Sequence, residues 1–314
     1  MKKKTVEYGR YGIIFLVPFF LVFLVFQFYP LLQTIIDSFV YTAKNGRTVT
    51  TATGLGNYIN YVFGKMGGGE IWQALLVTIA LWLLNFIPQI LLSLLLAAWF
   101  TDGQRKLKAG GAYKAIMYLP NIITAATIAV LYYNMFDTHG PITSLLLKWN
   151  IIKSDGLLYS GWFTMFLIAF IQFWMWYGNT MVVLTAGILG INPSLYEAAC
   201  VDGATSRQQF FQITLPLLKP ILQYTLVTSA IGGLQMYDIP QLMREGGPVV
   251  TMGNGTSVYS TRTVVMLIKQ YVSNGANQNF GRAAAYSVVL FIITLAISMV
   301  FYIATSEKKD KGGR

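Results

Sequence analysis

Polar and aromatic side chains within the apolar run at residues 162–189 are the part of this sequence best suited to binding chemistry. Gln172 and Trp176 are four residues apart and therefore share one face of a helix. An aromatic face packs against the C–H groups of a pyranose ring, while an amide bonds to its hydroxyls. Polar groups are costly inside a membrane span unless they face a cavity. The same run also contains Trp174, Tyr177 and Asn179. The run therefore predicts a sugar-binding cavity, although each aromatic residue could instead be an interfacial anchor or a packing residue.

A second group of candidate ligands lies farther along the chain. Ser229, Gly233 and Met236 share a helical face at spacings of four and three residues, close to Gln235 and Tyr237. Asn121 opens another apolar run. These residues would contribute to the same cavity if their helices meet.

The residues needed for catalysis or nucleotide binding are absent. No Gly-x4-Gly-Lys-Ser/Thr phosphate loop occurs, and the nearest candidate, Gly64-Lys65, is followed by Met66. His139 is the lone histidine and Cys200 the lone cysteine, which excludes a Cys/His metal cluster and an internal disulfide. We therefore expect no enzyme activity, no metal and no cofactor on this chain.

The composition indicates a membrane protein. Of 314 residues, 55% are hydrophobic and only 11% are charged, whereas soluble domains have about 25% charged residues. The net charge of +11 does not indicate nucleic acid, because Lys and Arg flank long apolar runs and form no basic face. We predict an all-α fold.

Six transmembrane helices are expected, since a span needs about 20 mainly apolar residues. The charge-free run at 156–196 is long enough for two spans, but Tyr159, Ser160 and Gly161 favour one. The predicted helices lie near 11–30, 71–100, 114–136, 162–189, 220–240 and 283–305. The first is too long for a signal peptide and lacks a small-residue cleavage site.

The distribution of Lys and Arg predicts the orientation. With six spans, 14 basic residues fall in short segments on one side and 9 in longer loops on the other. Because cytoplasmic loops are enriched in positive charge, we expect both termini in the cytoplasm. The predicted organisation is a tail at 1–10, a membrane domain at 11–305 with an external loop at 241–282, and a basic tail at 306–314.

A polar interruption at 191–222 has the pattern of a short helical hairpin. Asn192-Pro193 is a good helix start, and Gly203 can adopt the left-handed conformation that ends a helix. Thr205 and Gln208 have capping-box spacing and start a second short helix, which we expect Pro216 to stop. A solvated surface helix is the alternative to a partner-binding one.

The literal string of this hairpin resembles the EAA signature, E-A-A-x3-G-x9-I-x-L-P, of permease subunits of binding-protein-dependent ABC importers. The resemblance implies a type I importer permease bundle whose cytoplasmic coupling helix is seated in a cleft of an ATPase. The implied coupling residues are Glu197, Ala198, Ala199, Asp202, Gly203, Ile213, Leu215 and Pro216.

Segments at 29–63 and 237–251 are similar to the first-type carbohydrate permease of maltose-type transporters. That resemblance implies a second permease subunit, two ATPase subunits that bind ATP and Mg²⁺, an extracellular sugar-binding protein and an oligosaccharide cargo in a bacterial cytoplasmic membrane. Counting without gaps from Glu197, the family's sugar contacts fall at Asn121, Ala125, Gln172, Trp176, Ser229, Gly233 and Met236.

Three alternatives remain open. One is an ion-coupled secondary transporter, although the spans carry no carboxylate pair to couple ions. Another is a membrane-embedded enzyme or assembly scaffold. The third is an ABC permease for amino acids, phosphate or metal.

Overall fold

The computed structural model describes residues 9–45, 48–64, 69–101, 110–154, 156–251, 257–273 and 278–306. By its contacts the chain divides into one unit of residues 1–69 and 268–289, and a second of residues 70–267 and 290–314. The predicted tails at 1–10 and 306–314 lie almost entirely outside the described residues, as do the basic residues at 2–4, 105–108 and 308–314.

The first unit begins with a long apolar helix. It comprises α1 (Gly9–Phe23), a π-helical segment (Leu24–Phe28) and α2 (Tyr29–Ser38). The prediction that the first span ends near residue 30 is wrong, because helical backbone continues to Ser38. The π segment lies directly before Tyr29-Pro30. In a regular α-helix a proline ring clashes with the carbonyl four residues before it, and the wider π turn moves that carbonyl away.

A two-stranded hairpin follows α2 in this unit. Strands β1 (Val40–Asn45) and β2 (Thr48–Thr53) pair antiparallel, with Val40 opposite Thr53. The Asn57 side chain fastens the hairpin by donating to the carbonyls of Ser38 and Val40, each at 2.9 Å. A second π-helical segment follows at Tyr58–Val62.

The second unit is built around two long helices, α3 (Glu70–Thr101) and α7 (Gly161–Leu189), which pack along each other. Both predicted spans are confirmed to within a residue or two. The buried core between them includes Leu81, Ile168, Ile171 and Met175. A second apolar cluster, with Ala97, Leu184, Ile188 and Leu218, lies at the other ends of these helices.

The helix predicted at 114–136 is interrupted. Helix α4 (Gly110–Ile122) stops at Ile123, α5 (Ala125–Phe136) begins after it, and α6 (Pro141–Lys148) follows. The break bends the pair by 85°. It forms because Thr124 has extended backbone and its hydroxyl accepts from Thr127 N–H, so α5 starts with a cap of its own.

The remaining helices carry the chain back through the second unit. They are α8 (Pro193–Val201), α9 (Ser206–Gln209), α10 (Leu215–Leu217), α11 (Lys219–Leu234), α12 (Asp238–Arg244), α13 (Val264–Ser273) and α14 (Phe280–Thr305); the last two extend into the first unit. Strands β3 (Val249–Thr251) and β4 (Ser257–Tyr259) form a second small hairpin. The predicted loop at 241–282 therefore contains regular structure.

Four helical stretches of the described chain are long and apolar enough to cross a membrane, or five if the bent stretch from α4 to α6 counts as one. The helix at 283–305 is confirmed as α14. The helix predicted at 220–240 is shorter: α11 has 16 residues and ends at Leu234. Gly232 and Gly233 weaken its last turn, and Tyr237 leaves the helical region.

Candidate functional site

A cavity of about 460 Å³ lies in the second unit, among α3, α5, α7, α11 and α12. This volume falls in the range of small-molecule sites. Its described lining is rich in neutral hydrogen-bonding groups: the amides of Asn85, Gln89, Gln172, Asn179 and Gln235, and the hydroxyls of Thr180, Tyr224, Thr225, Thr228, Ser229 and Tyr237. Such groups both donate and accept, as a hydroxyl-rich ligand requires.

Direct hydrogen bonds between α3 and α7 hold one wall of the cavity. Gln89 Nε2 donates to Thr180 Oγ1 at 2.7 Å, and both residues are buried. One turn away, Ser93 Oγ donates to the Tyr177 carbonyl at 2.7 Å. Because buried polar groups are costly when unpaired, these two contacts fix the relative register of the helices beside the cavity.

Trp82 forms the boundary between α3 and α11. Its indole N–H donates to Ser229 Oγ at 3.0 Å, and only 4% of the residue is exposed. The ring packs against Phe86 and Phe301, each at a centroid distance of 6.0 Å. Gly233 permits this arrangement, because an added Cβ would lie 2.6 Å from Trp82 Cγ.

Trp176 also lines the cavity and differs from Trp82 in being 46% exposed. Gln172, one turn before it on α7, also lines the cavity and is half-buried. An indole with an accessible face beside an amide is a suitable pair for a sugar ring, since the face takes C–H groups and the amide takes hydroxyls.

The hairpin at 191–222 is a separate feature of the second unit. Asn192 Oδ1 accepts from Ser194 N–H at 3.1 Å and caps α8, so the predicted helix start is confirmed. Gly203 has φ +77°, as predicted for a left-handed helix end. Helix α8 exposes apolar side chains, including Val201 at 88% and Leu195 at 44%, beside the exposed Glu197.

The second arm of the hairpin follows the prediction to within a residue. Thr205 and Gln208 form the predicted capping box. A π-helical segment (Phe210–Thr214) that was not predicted precedes Pro216, and the helix ends at Leu217, one residue after this proline. Tyr196 and Thr214 join the two arms through a hydroxyl–hydroxyl bond of 2.9 Å.

Among the described residues, no group of three or more His, Cys, Asp and Glu is arranged to hold a metal ion.

Comparison with known proteins identifies the family. A family model described as binding-protein-dependent transport system inner membrane component matches residues 95–308. The chain belongs to this family. The match includes the hairpin and every described lining residue of the cavity except the three on α3, Trp82, Asn85 and Gln89.

Relatives and solved structures of other proteins match this chain over almost its whole length. The lactose transport system permease protein LacF of Rhizobium radiobacter is 28% identical, with 96% of each chain covered. The arabinooligosaccharides transport system permease protein AraP of Bacillus subtilis (strain 168) is 28% identical, covering 95% of this chain and 90% of AraP. A crystal structure of a bacterial ABC transporter for the acidic polysaccharide alginate shares the fold, with a TM-score of 0.73 and 22% identity over 95% of this chain and 96% of its own.

Six of the seven predicted sugar contacts line this cavity: Ala125, Gln172, Trp176, Ser229, Gly233 and Met236. The seventh, Asn121, is not among the described lining residues; its Nδ2 donates to the Met175 carbonyl at 3.3 Å and ties α4 to α7. Their binding role stays a prediction.

Sequence reasoning did not assign Trp82, Asn85, Gln89 or Asp238 to the site, yet all four line the cavity. The signal for Asn85 and Gln89 was their polarity inside an apolar span. Trp82 gave no such signal, because tryptophan is common in spans and its partner Ser229 is 147 residues away.

Proposed function

We propose that this chain is the membrane-embedded permease subunit of an ATP-driven importer for a sugar, specifically an oligosaccharide. The observation that carries the proposal is the cavity, which combines five amides, several hydroxyls and two indole rings in a chain of this family. The names of its relatives, which refer to lactose and arabinooligosaccharides, support the same class of cargo.

The proposed assembly contains a second permease subunit, two ATPase subunits that hold ATP and Mg²⁺, and an extracellular sugar-binding protein. ATP hydrolysis then belongs to the ATPase chains. In the bacterial cytoplasmic membrane we propose six crossings with both termini in the cytoplasm, with the 16-residue α11 as one of them. A helix of that length spans about 24 Å, which is less than the roughly 30 Å thickness of the hydrocarbon core. A bilayer accommodates such a difference at modest cost.

The hairpin is proposed to couple the ATPase to the cavity. Exposed apolar side chains on α8 beside the exposed Glu197 form a surface suited to a protein cleft. The proposed contact set is Glu197, Ala198, Ala199, Asp202, Gly203, Ile213, Leu215 and Pro216. Closure of the ATPase pair would move this hairpin and switch the cavity between the two sides of the membrane. Transport follows only if the two states bind the sugar differently.

Reconstituted uptake tests the proposal. The complete importer in proteoliposomes, with ATP inside and sugar-loaded binding protein outside, should take up sugar and hydrolyse ATP. Glu197→Lys should abolish uptake while the complex stays assembled. Asp137→Lys makes the same charge change outside the hairpin and the cavity, and it should leave uptake near normal.

Two results would contradict the proposal. Normal uptake by Glu197→Lys would remove the coupling role of the hairpin. Uptake that needs no ATPase and collapses with an ion gradient would instead favour a secondary transporter.

A further inference from the structure

The cavity lining carries charge of one sign only. Asp238 is the single Asp or Glu among its described lining residues, and none of these is Lys, Arg or His. Asp238 is the first residue of α12, and its side chain is exposed. The cavity of this chain therefore presents one carboxylate together with neutral groups.

The nearby arginines are engaged elsewhere. Arg244, six positions after Asp238, stacks over the Tyr159 ring with its guanidinium 4.5 Å from the centroid. Arg262 stacks over the Tyr259 ring at 4.2 Å. Neither residue lines the cavity. Cation–π contacts of this kind hold a guanidinium in place, so these charges stay outside the site.

Helix ends are the other source of potential at the cavity. A helix N-terminus is equivalent to about half a positive charge and a C-terminus to about half a negative one. The starts of α5, at Ala125, and of α12, at Asp238, face the cavity, and so does the end of α11 at Gly233 and Gln235. The negative end of α11 offsets about one of the two positive ends, so the full charge of Asp238 makes the net contribution of the described groups negative.

We propose that Asp238 makes the cavity charge-selective: it accepts neutral and amino sugars and rejects sugars that carry carboxylate or phosphate groups. This inference rests on the proposed sugar-transport function. An acidic sugar that enters the cavity would lose part of its hydration and would be repelled by the Asp238 carboxylate. No described basic group lines the cavity to compensate for this cost. If the ligand carboxylate lies about 8 Å from the Asp238 carboxylate, at an effective permittivity of about 20, their repulsion makes binding roughly thirty-fold weaker than that of a neutral sugar.

Equilibrium binding of β-1,4-linked trisaccharides to the assembled importer in lipid nanodiscs tests this. The binding protein is left out, so that its own selectivity does not contribute. The probes at pH 7 are cellotriose, its glucosamine counterpart and its glucuronate counterpart, with maltotriose as a second neutral ligand. The importer should bind the glucuronate probe roughly thirty-fold more weakly than cellotriose, and the gap should shrink at about 1 M salt.

The decisive variant is Asp238→Asn, which should bring the glucuronate probe within a few-fold of cellotriose and remove any preference for the glucosamine probe. Glu245→Gln removes the same charge at the other end of α12, outside the cavity, and should keep the full gap. Equal binding of neutral and acidic probes by the unmodified importer, or an unchanged gap in Asp238→Asn, would overturn the inference alone. Failure of every trisaccharide to bind would overturn the proposed function as well.

Discussion

Gly233→Ala should displace Trp82 and thereby deform the cavity wall. The new Cβ would lie 2.6 Å from Trp82 Cγ and 2.8 Å from Trp82 Nε1, whereas non-bonded carbon atoms pack at an optimal distance of about 3.5–4.0 Å. Trp82 Cδ1 would lie closer still to this Cβ, so the indole must retreat by roughly 1.5 Å, but Phe86 and Phe301 restrict it. Overpacking of this kind costs about 1–3 kcal/mol, and loss of the bond to Ser229 adds about 1 kcal/mol.

The assay is thermal unfolding of the purified complex, followed by sugar uptake. Gly233→Ala should lower Tm and weaken uptake, whereas Gly232→Ala should not lower Tm, because nothing lies within 4 Å of a Cβ at that position. Combining Gly233→Ala with Trp82→Leu removes the clash, so the two changes should show a coupling energy of about 1–3 kcal/mol. Additive effects of the two substitutions would refute the argument.

Three further substitutions give separate expectations. At Gly203 φ is +77°, and an added Cβ would meet nothing within 4 Å. The Gly203→Asn variant should therefore keep ATP hydrolysis coupled to uptake better than Gly203→Ala, since Asn tolerates the left-handed region. Better coupling in Gly203→Ala would instead indicate a steric contact with the ATPase. Gln89→Leu leaves Thr180 without its buried partner and should cost about 1–3 kcal/mol in the unfolding of the complex, with Thr180→Val in the same chain recovering much of it. Trp176→Ala should change which sugar stimulates hydrolysis, and unchanged preference would make Trp176 a packing residue.

The hairpin was predictable because its determinants are local. Asn192 bonds to Ser194, and Thr205 bonds to Gln208, so sequence spacing alone identifies both helix starts. The left-handed backbone of Gly203 follows from the residue type. In the same way, long charge-free runs indicated α3, α7 and α14.

The errors arose where proline or tertiary contacts decide the outcome. The first helix was expected to end near Pro30, but a π-helical segment precedes this proline and helical backbone continues to Ser38. No simple residue pattern predicts a π segment. The close contact between Trp82 and Gly233 joins residues 151 positions apart, and hydrophobic periodicity contains no information about such a pair.

The continuous helical backbone of the second arm has a mechanical consequence. From Ser206 to Leu217 the chain has no turn or loop between its helical segments. The arm leads directly into Leu218, which is fully buried against Leu184 and Ile188 of α7. Close-packed interiors transmit strain, so a force applied at the outer end of this arm would arrive at α7, the helix that carries Gln172 and Trp176.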